Sequence, residues 1–113
     1  MTATENSLLA LLGYVFLQNA RPDKAAVVLA ALDAMSPGQA RVLRGLVVAQ
    51  LRSGKPDRAL ETLDRLAMAG GVDAAFHLLR SQALGLLSKT EEAALAMKTY
   101  VQMRSAGRTV TQG

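Results

Sequence analysis

Two stretches decide the fold: RPDKAAVVLAAL at residues 21–32 and KPDRALETLDRL at residues 55–66. Each opens on a basic residue, continues with Pro-Asp, a second basic residue and Ala, and closes on Leu. The two lie 34 residues apart, and KTEEAALAMKTY at residues 89–100 repeats the register without its proline. Ala25, Ala59 and Ala93 share one position; Leu29, Leu63 and Met97 share the next; Leu32, Leu66 and Tyr100 share the one after. Upstream, Leu9 pairs with Leu43 and Leu12 with Leu46. A fixed period held over three units is the signature of a stacked-repeat architecture.

Composition agrees with a helical reading. The chain has 113 residues, the length of one domain, and half of them are hydrophobic while only 4% are aromatic. Leu, Ala, Val and Met supply most of the apolar content, and Ala and Leu lead the helix-propensity ranking. No Asn-Gly or Asp-Gly hairpin signal occurs. An all-α chain of about six helices is therefore expected. The first helix of each unit is predicted at about 8–18, 40–52 and 74–87, and the second at about 22–35, 56–68 and 90–104. The repeats then span about 6–39, 40–73 and 74–105, with AGRTVTQG (106–113) too short and too polar for a further helix. Pro22 and Pro56 sit at helix starts, where a missing N–H costs nothing. Asp23, Asp57 and the pair Glu91–Glu92 place negative charge in the first turn, where the helix dipole favours it. In the third unit Ser88 or Thr90 is expected to cap the helix instead. Pro37 and Gly70–Gly71 mark the breaks between units.

The chemistry that could make an enzyme is missing from these patterns. The absence of cysteine removes disulfide frameworks and thiolate metal sites, and suits a reducing compartment. His77 is the single histidine and sits among Phe76, Leu78 and Leu79, which reads as packing rather than ligation or base catalysis. No convergent His or acidic spacing suggests a metal site, and Ser7, Ser53, Ser81 and Ser88 lack an activating base besides His77. No phosphate-loop pattern occurs. No cofactor is expected. The five methionines mostly fall at core spacing. The formal net charge is +4, but the basic residues are spread evenly, and Tyr14, Phe16, Phe76 and Tyr100 do not interleave with basic clusters. That is a salted surface rather than a nucleic-acid interface. The apolar run at 8–17 follows MTATENS, which lacks the basic flank of a signal peptide, and it is too short to span a membrane. A cytoplasmic location is expected.

In order, Leu9, Leu12-Gly13, Phe16, Ala25, Leu29, Leu32 and Pro37 resemble a tetratricopeptide repeat (TPR). The second unit departs from that pattern at Val47, Gln50 and Gly71. The third keeps Leu84, Ala93, Met97 and Tyr100 but carries His77, Arg80 and Ser81 in place of Trp, Leu and Gly. The resemblance implies three stacked helix–turn–helix units in a right-handed superhelical array with a concave groove. It also implies that the first helices line the groove: Ala10, Tyr14 and Leu17 from the first unit; Arg41, Arg44, Val48, Leu51 and Arg52 from the second; Ala75, Leu78, Gln82 and Leu86 from the third. Such a groove is apolar with a basic middle wall, and suits an amphipathic helix of some acidic character. The three arginines fit a solvated face equally well. The last helix has apolar residues beyond one face (Ala94, Leu95 and Val101 beside Ala93, Met97 and Tyr100), so either it frays or a partner covers this end.

Among TPR proteins the chain resembles the YscY (SctY) family of type III secretion chaperones, through Leu8–Leu9, Leu12-Gly13-Tyr14, Leu29, Leu32-Asp33-Ala34 and the Ala93 to Tyr100 helix. That resemblance implies a bacterial cytoplasmic chaperone, without enzymatic activity, nucleic-acid binding or membrane insertion. It would bind a small secreted partner of the YscX kind, support its export in virulence-related protein transport, and contact the export gate. A needle-subunit chaperone of the YscG type and a generic TPR interaction scaffold are the alternatives.

Overall fold

A computed structural model describes residues 3–112, with the side chains of Ala3, Asn6 and residues 108–112 left aside. Six helices follow one another: α1 (Ala3–Gln18), α2 (Pro22–Met35), α3 (Ala40–Arg52), α4 (Pro56–Met68), α5 (Ala74–Leu86) and α6 (Thr90–Gln112). No strand occurs among the described residues. Helices pair as the hairpins α1–α2, α3–α4 and α5–α6, and each hairpin rests on the next through α2 on α3 and α4 on α5. The first helices also touch in sequence, α1 with α3 and α3 with α5. The all-α stack of three helical hairpins expected from the repeat is therefore present.

The turn inside each hairpin is one device used three times. Ala20, Gly54 and Ser88, each 34 residues apart, all adopt left-handed backbone at φ +57°, +74° and +61°. After each, an N–H reaches back five residues: Arg21 to the Phe16 carbonyl at 2.7 Å, Lys55 to Gln50 at 2.9 Å and Lys89 to Leu84 at 2.9 Å. This closing pattern ends a helix by satisfying carbonyls that would otherwise be orphaned. Pro22 and Pro56 open α2 and α4, as their spacing predicts. In the third unit the expectation of a Ser88 or Thr90 cap is corrected. Ser88 is the left-handed turn residue and Thr90 is already helical, so Lys89 holds the cap position.

The repeat alanines and leucines form the core. Ala25, Ala59, Leu29, Leu63, Leu32 and Leu66 are all buried. Within a hairpin, the two helices approach closely at the position shared by Gly13, Val47 and Ser81. A methyl group on Gly13 would lie 2.8 Å from Leu29 Cγ and Cδ2. Val47 is fully buried, and the Ser81 hydroxyl donates to the Ala93 carbonyl at 2.9 Å. One cluster joins Leu29 and Leu32 of α2 to Val42 and Leu46 of α3. A second joins Leu63 and Leu66 of α4 to Phe76 and Ala83 of α5, with Leu43, Val47 and Ala59 behind them. The third unit breaks the pattern. Ala93 and Tyr100 are only half-buried and Met97 is 38% exposed, while Ala96 is the buried alanine of α6. The cause is topological: α2 and α4 are each covered by a following first helix, whereas among the described residues α6 packs on α5 alone.

Two boundaries differ from the predicted ones. α1 begins at Ala3 rather than near residue 8, with Glu5 in its first turn to complement the dipole. α6 continues to Gln112 rather than ending near 104, so the stretch expected as a polar tail prolongs this helix instead of forming a coil. Nothing there stops a helix: no proline occurs, and one glycine, Gly107, costs only about 1 kcal/mol. Residues 101–107, which lead into that stretch, are exposed. Gly113 lies outside the described residues.

An ion pair absent from the repeat pattern links the first two units. Asp33, at the end of α2, accepts from Arg65 of α4 at 2.5 and 3.0 Å and from the Gly38 N–H at 3.1 Å. The Arg65 hydrogen bonds, helped by the Gly38 amide, hold the Asp33 carboxyl below the usual carboxylate range despite its burial.

Candidate functional site

The groove begins with the spacing of first helices. Stacking α3 beside α1 leaves a cleft of about 640 Å³ lined by Tyr14, Leu17, Gln18, Arg41, Arg44, Gly45, Val48 and Arg52. Tyr14 and Leu17 lie one turn apart on α1. Arg41, Arg44, Gly45, Val48 and Arg52 follow the three- and four-residue spacing of one face of α3. Gly45 sets the depth of the floor, because a side chain there would start 3.1 Å from the Tyr14 ring and 3.2 Å from Leu29 Cδ1.

Each arginine has a distinct role in shaping the wall. The Arg41 guanidinium lies over the Tyr14 ring at 5.6 Å, and the Tyr14 hydroxyl donates to the Arg41 carbonyl at 3.1 Å. Arg52 donates to the Leu17 carbonyl at 3.4 Å, across the end of α1. Arg44 donates to the Gly71 carbonyl at 3.3 Å and pairs with Asp73 at 3.1 Å. Asp73 in turn caps α5 by accepting from the Phe76 N–H at 2.9 Å. Arg44 thus ties the second unit to the third, and its charge is partly neutralised. Among the described residues Arg41 and Arg52 form no ion pair with a carboxylate and both are exposed, so they carry the positive field of the cleft.

The cleft gathers half of the positions expected to line a groove: Tyr14, Leu17, Arg41, Arg44, Val48 and Arg52. Ala10 borders a smaller neighbouring hollow of about 310 Å³ with Tyr14 and Arg41. Leu51 does not line this cleft; it is partly buried and packs against the cluster that holds Val47 and Leu63. Ala75, Leu78, Gln82 and Leu86 lie on α5 outside the cleft; Leu78 is half-buried and the other three are exposed. Gln18 and Gly45 were not among the expected residues. Gly45 could have been found, because it stands four residues after Arg41 and three before Val48, on the same face of the helix.

Other side-chain chemistry is sparse. His77 makes an edge-on contact with Phe76 at 5.2 Å between ring centres. Among the described residues no group of three His, Asp or Glu could hold a metal ion, and no helix is long and apolar enough to cross a membrane.

A search of curated proteins finds no match to this chain. A profile of the tetratricopeptide repeat matches residues 16–83, more than half of the chain, running from the end of α1 into α5. That match covers the period, the hairpin turn and the alanine contact described above. TPR proteins serve as scaffolds for protein–protein interaction and bind protein partners. The 34-residue period, the stacked hairpins and the profile match agree, and the chain belongs to the tetratricopeptide repeat family.

Proposed function

We propose that this chain is a chaperone of the type III secretion class, resembling YscY, that holds a helical segment of a small secreted partner in the α1–α3 cleft. The observation that carries this reading is the composition of the cleft. Tyr14, Leu17 and Val48 offer an apolar strip, and Arg41 and Arg52 flank it with positive charge. An amphipathic helix laid in such a groove buries its apolar face and sets acidic side chains against the arginines. Holding that helix keeps it from premature assembly until export, with release at the export gate. The site is for binding and no reaction is assigned to it. The cytoplasm is the compartment this role requires. Ala10 extends the strip towards the start of α1, while Ala75, Leu78, Gln82 and Leu86 offer a further wall for a longer client.

The test is co-expression of the chain with the products of its neighbouring genes, followed by affinity purification. Recovery of a small secreted partner in a defined complex supports the proposal. Recovery of a needle subunit moves the chain to the YscG type, which would use the same cleft. A chain that purifies alone, stable and monomeric, with every neighbour tested contradicts both chaperone readings and leaves an interaction scaffold of another kind.

A further inference from the structure

The two ends of the stack are the two halves of one interface. Inside the chain that interface is made twice, α2 on α3 and α4 on α5. At the first, Val42 and Leu46 are buried against Leu29 and Leu32, and Gly45 approaches Leu29. At the second, Phe76 at the Val42 position is buried against the cluster of Leu63 and Leu66, Leu79 at the Gly45 position packs beside it, and Ala83 further along α5 is buried with them, while Arg80 stands at the Leu46 position. Moving back by 34 residues, α1 carries Leu8, Leu11 and Leu12 at the positions of Val42, Gly45 and Leu46. These three leucines are 62%, 59% and 42% exposed. Moving forward, α6 carries Met97 and Tyr100 at the positions of Leu29, Leu63 and Leu32, Leu66. Here Met97 is 38% exposed, whereas the four leucines are at most 1% exposed.

We infer that the α1 face of one copy docks on the α6 face of a second copy, so that the chain associates head to tail and continues its own repeat across molecules. The register names the contacts: Leu11 of one copy against Met97 of the other, and Leu8 and Leu12 against Met97 and Tyr100. Leucine at the Leu11 position is accommodated, because the second internal junction already uses Leu79 there. Charge agrees. α1 carries Glu5 and no basic residue from Ala3 to Gln18, whereas α6 beyond Glu92 carries Lys98, Arg104 and Arg108 and no acidic residue. Because first and second helices meet antiparallel across the short inter-unit loop, Glu5 falls near Arg104 in this arrangement. The contact is heterologous and leaves a free face at each end, so it adds copies progressively rather than closing a pair. It uses neither Arg41 nor Arg52, and it stands or falls independently of the cleft's client.

Sedimentation velocity of the whole chain from about 10 µM to about 1 mM tests this, the range in which a weak to moderate contact titrates. The average mass is expected to rise past the dimer with concentration. Leu11→Glu disables only the α1 face and Met97→Glu only the α6 face. Each variant alone is expected to stay monomeric, while an equimolar mixture forms dimers and stops there. A wild-type chain that is monomeric throughout overturns the inference. So does a single variant that dimerises alone, which would mean a symmetric contact, or a mixture that stays monomeric. Far-ultraviolet circular dichroism checks that both variants fold. Since the chain has no cysteine, a Leu11→Cys chain mixed with a Met97→Cys chain supplies a second readout. Mild oxidation is expected to give mainly the mixed disulfide, and a statistical distribution of disulfides counts against the contact.

Discussion

At the scale of the residue, the left-handed turn position is the most informative feature. Ala20 and Ser88 accept a conformation that costs a residue with a side chain about 1–2 kcal/mol, while Gly54 adopts it freely. Ala20→Gly and Ser88→Gly should each stabilise the chain by about 0.5–1 kcal/mol once the extra freedom of glycine in the unfolded chain is counted. Gly54→Ala should cost about 1 kcal/mol. Urea titrations followed by circular dichroism measure all three. The alanine contact makes the opposite kind of prediction. Ala59 is fully buried between α4 and the rest of its unit, so Ala59→Leu should overpack it and cost about 1–3 kcal/mol. An unchanged melting temperature would place the repeat register wrongly. The alanine register was legible because one residue type recurs at it. The turn register was not, because Ala, Gly and Ser share no chemistry and only the backbone shows what they have in common.

At the scale of the element, the Asp33–Arg65 pair links α2 to α4 and makes stability depend on pH. Asp33 has a folded-state pKa below its unfolded value, so its contribution is fully present above the unfolded pKa and is lost as pH falls through the folded one. Asp33→Asn should therefore lower stability at neutral pH by about 1–2 kcal/mol, a range reduced for the exposure of Arg65. The same variant should flatten the acid limb of a plot of melting temperature against pH. Equal acid limbs in the two proteins would show that Asp33 is not the linked group. No reading of the repeat could reveal this pair. The counterpart of Asp33 one period on is Ala67, and that of Arg65 one period back is Ala31, so the contact occurs once and leaves no periodic trace. Helix starts and hairpin pairing were legible, since proline and the apolar spacing mark them. The length of α6 was not, because polar residues without a breaker are compatible with either a coil or an exposed helix.

At the scale of the whole molecule, stacking the hairpins turns a scaffold motif into a surface. The echo of RPDKAAVVLAAL in KPDRALETLDRL lies on second helices and builds the core, while the cleft belongs to α1 and α3. The α1 and α3 half of the candidate groove was legible through the TPR pattern. The division of labour among its arginines was not, since the pairing of Arg44 with Asp73 depends on how the third unit meets the second. A client held partly by Arg41 and Arg52 should bind more weakly as ionic strength rises, because exposed charges are screened. Comparing complex stability in low and high salt measures that electrostatic share. The cleft as binding surface is tested most directly by retention of the client on a chain carrying Tyr14→Asp and Val48→Asp together. Its control carries Val27→Asp, at a 70% exposed position away from the cleft. The double variant is expected to keep its helicity and lose the client while the control retains it. Undiminished capture by the double variant would contradict the cleft as the binding surface.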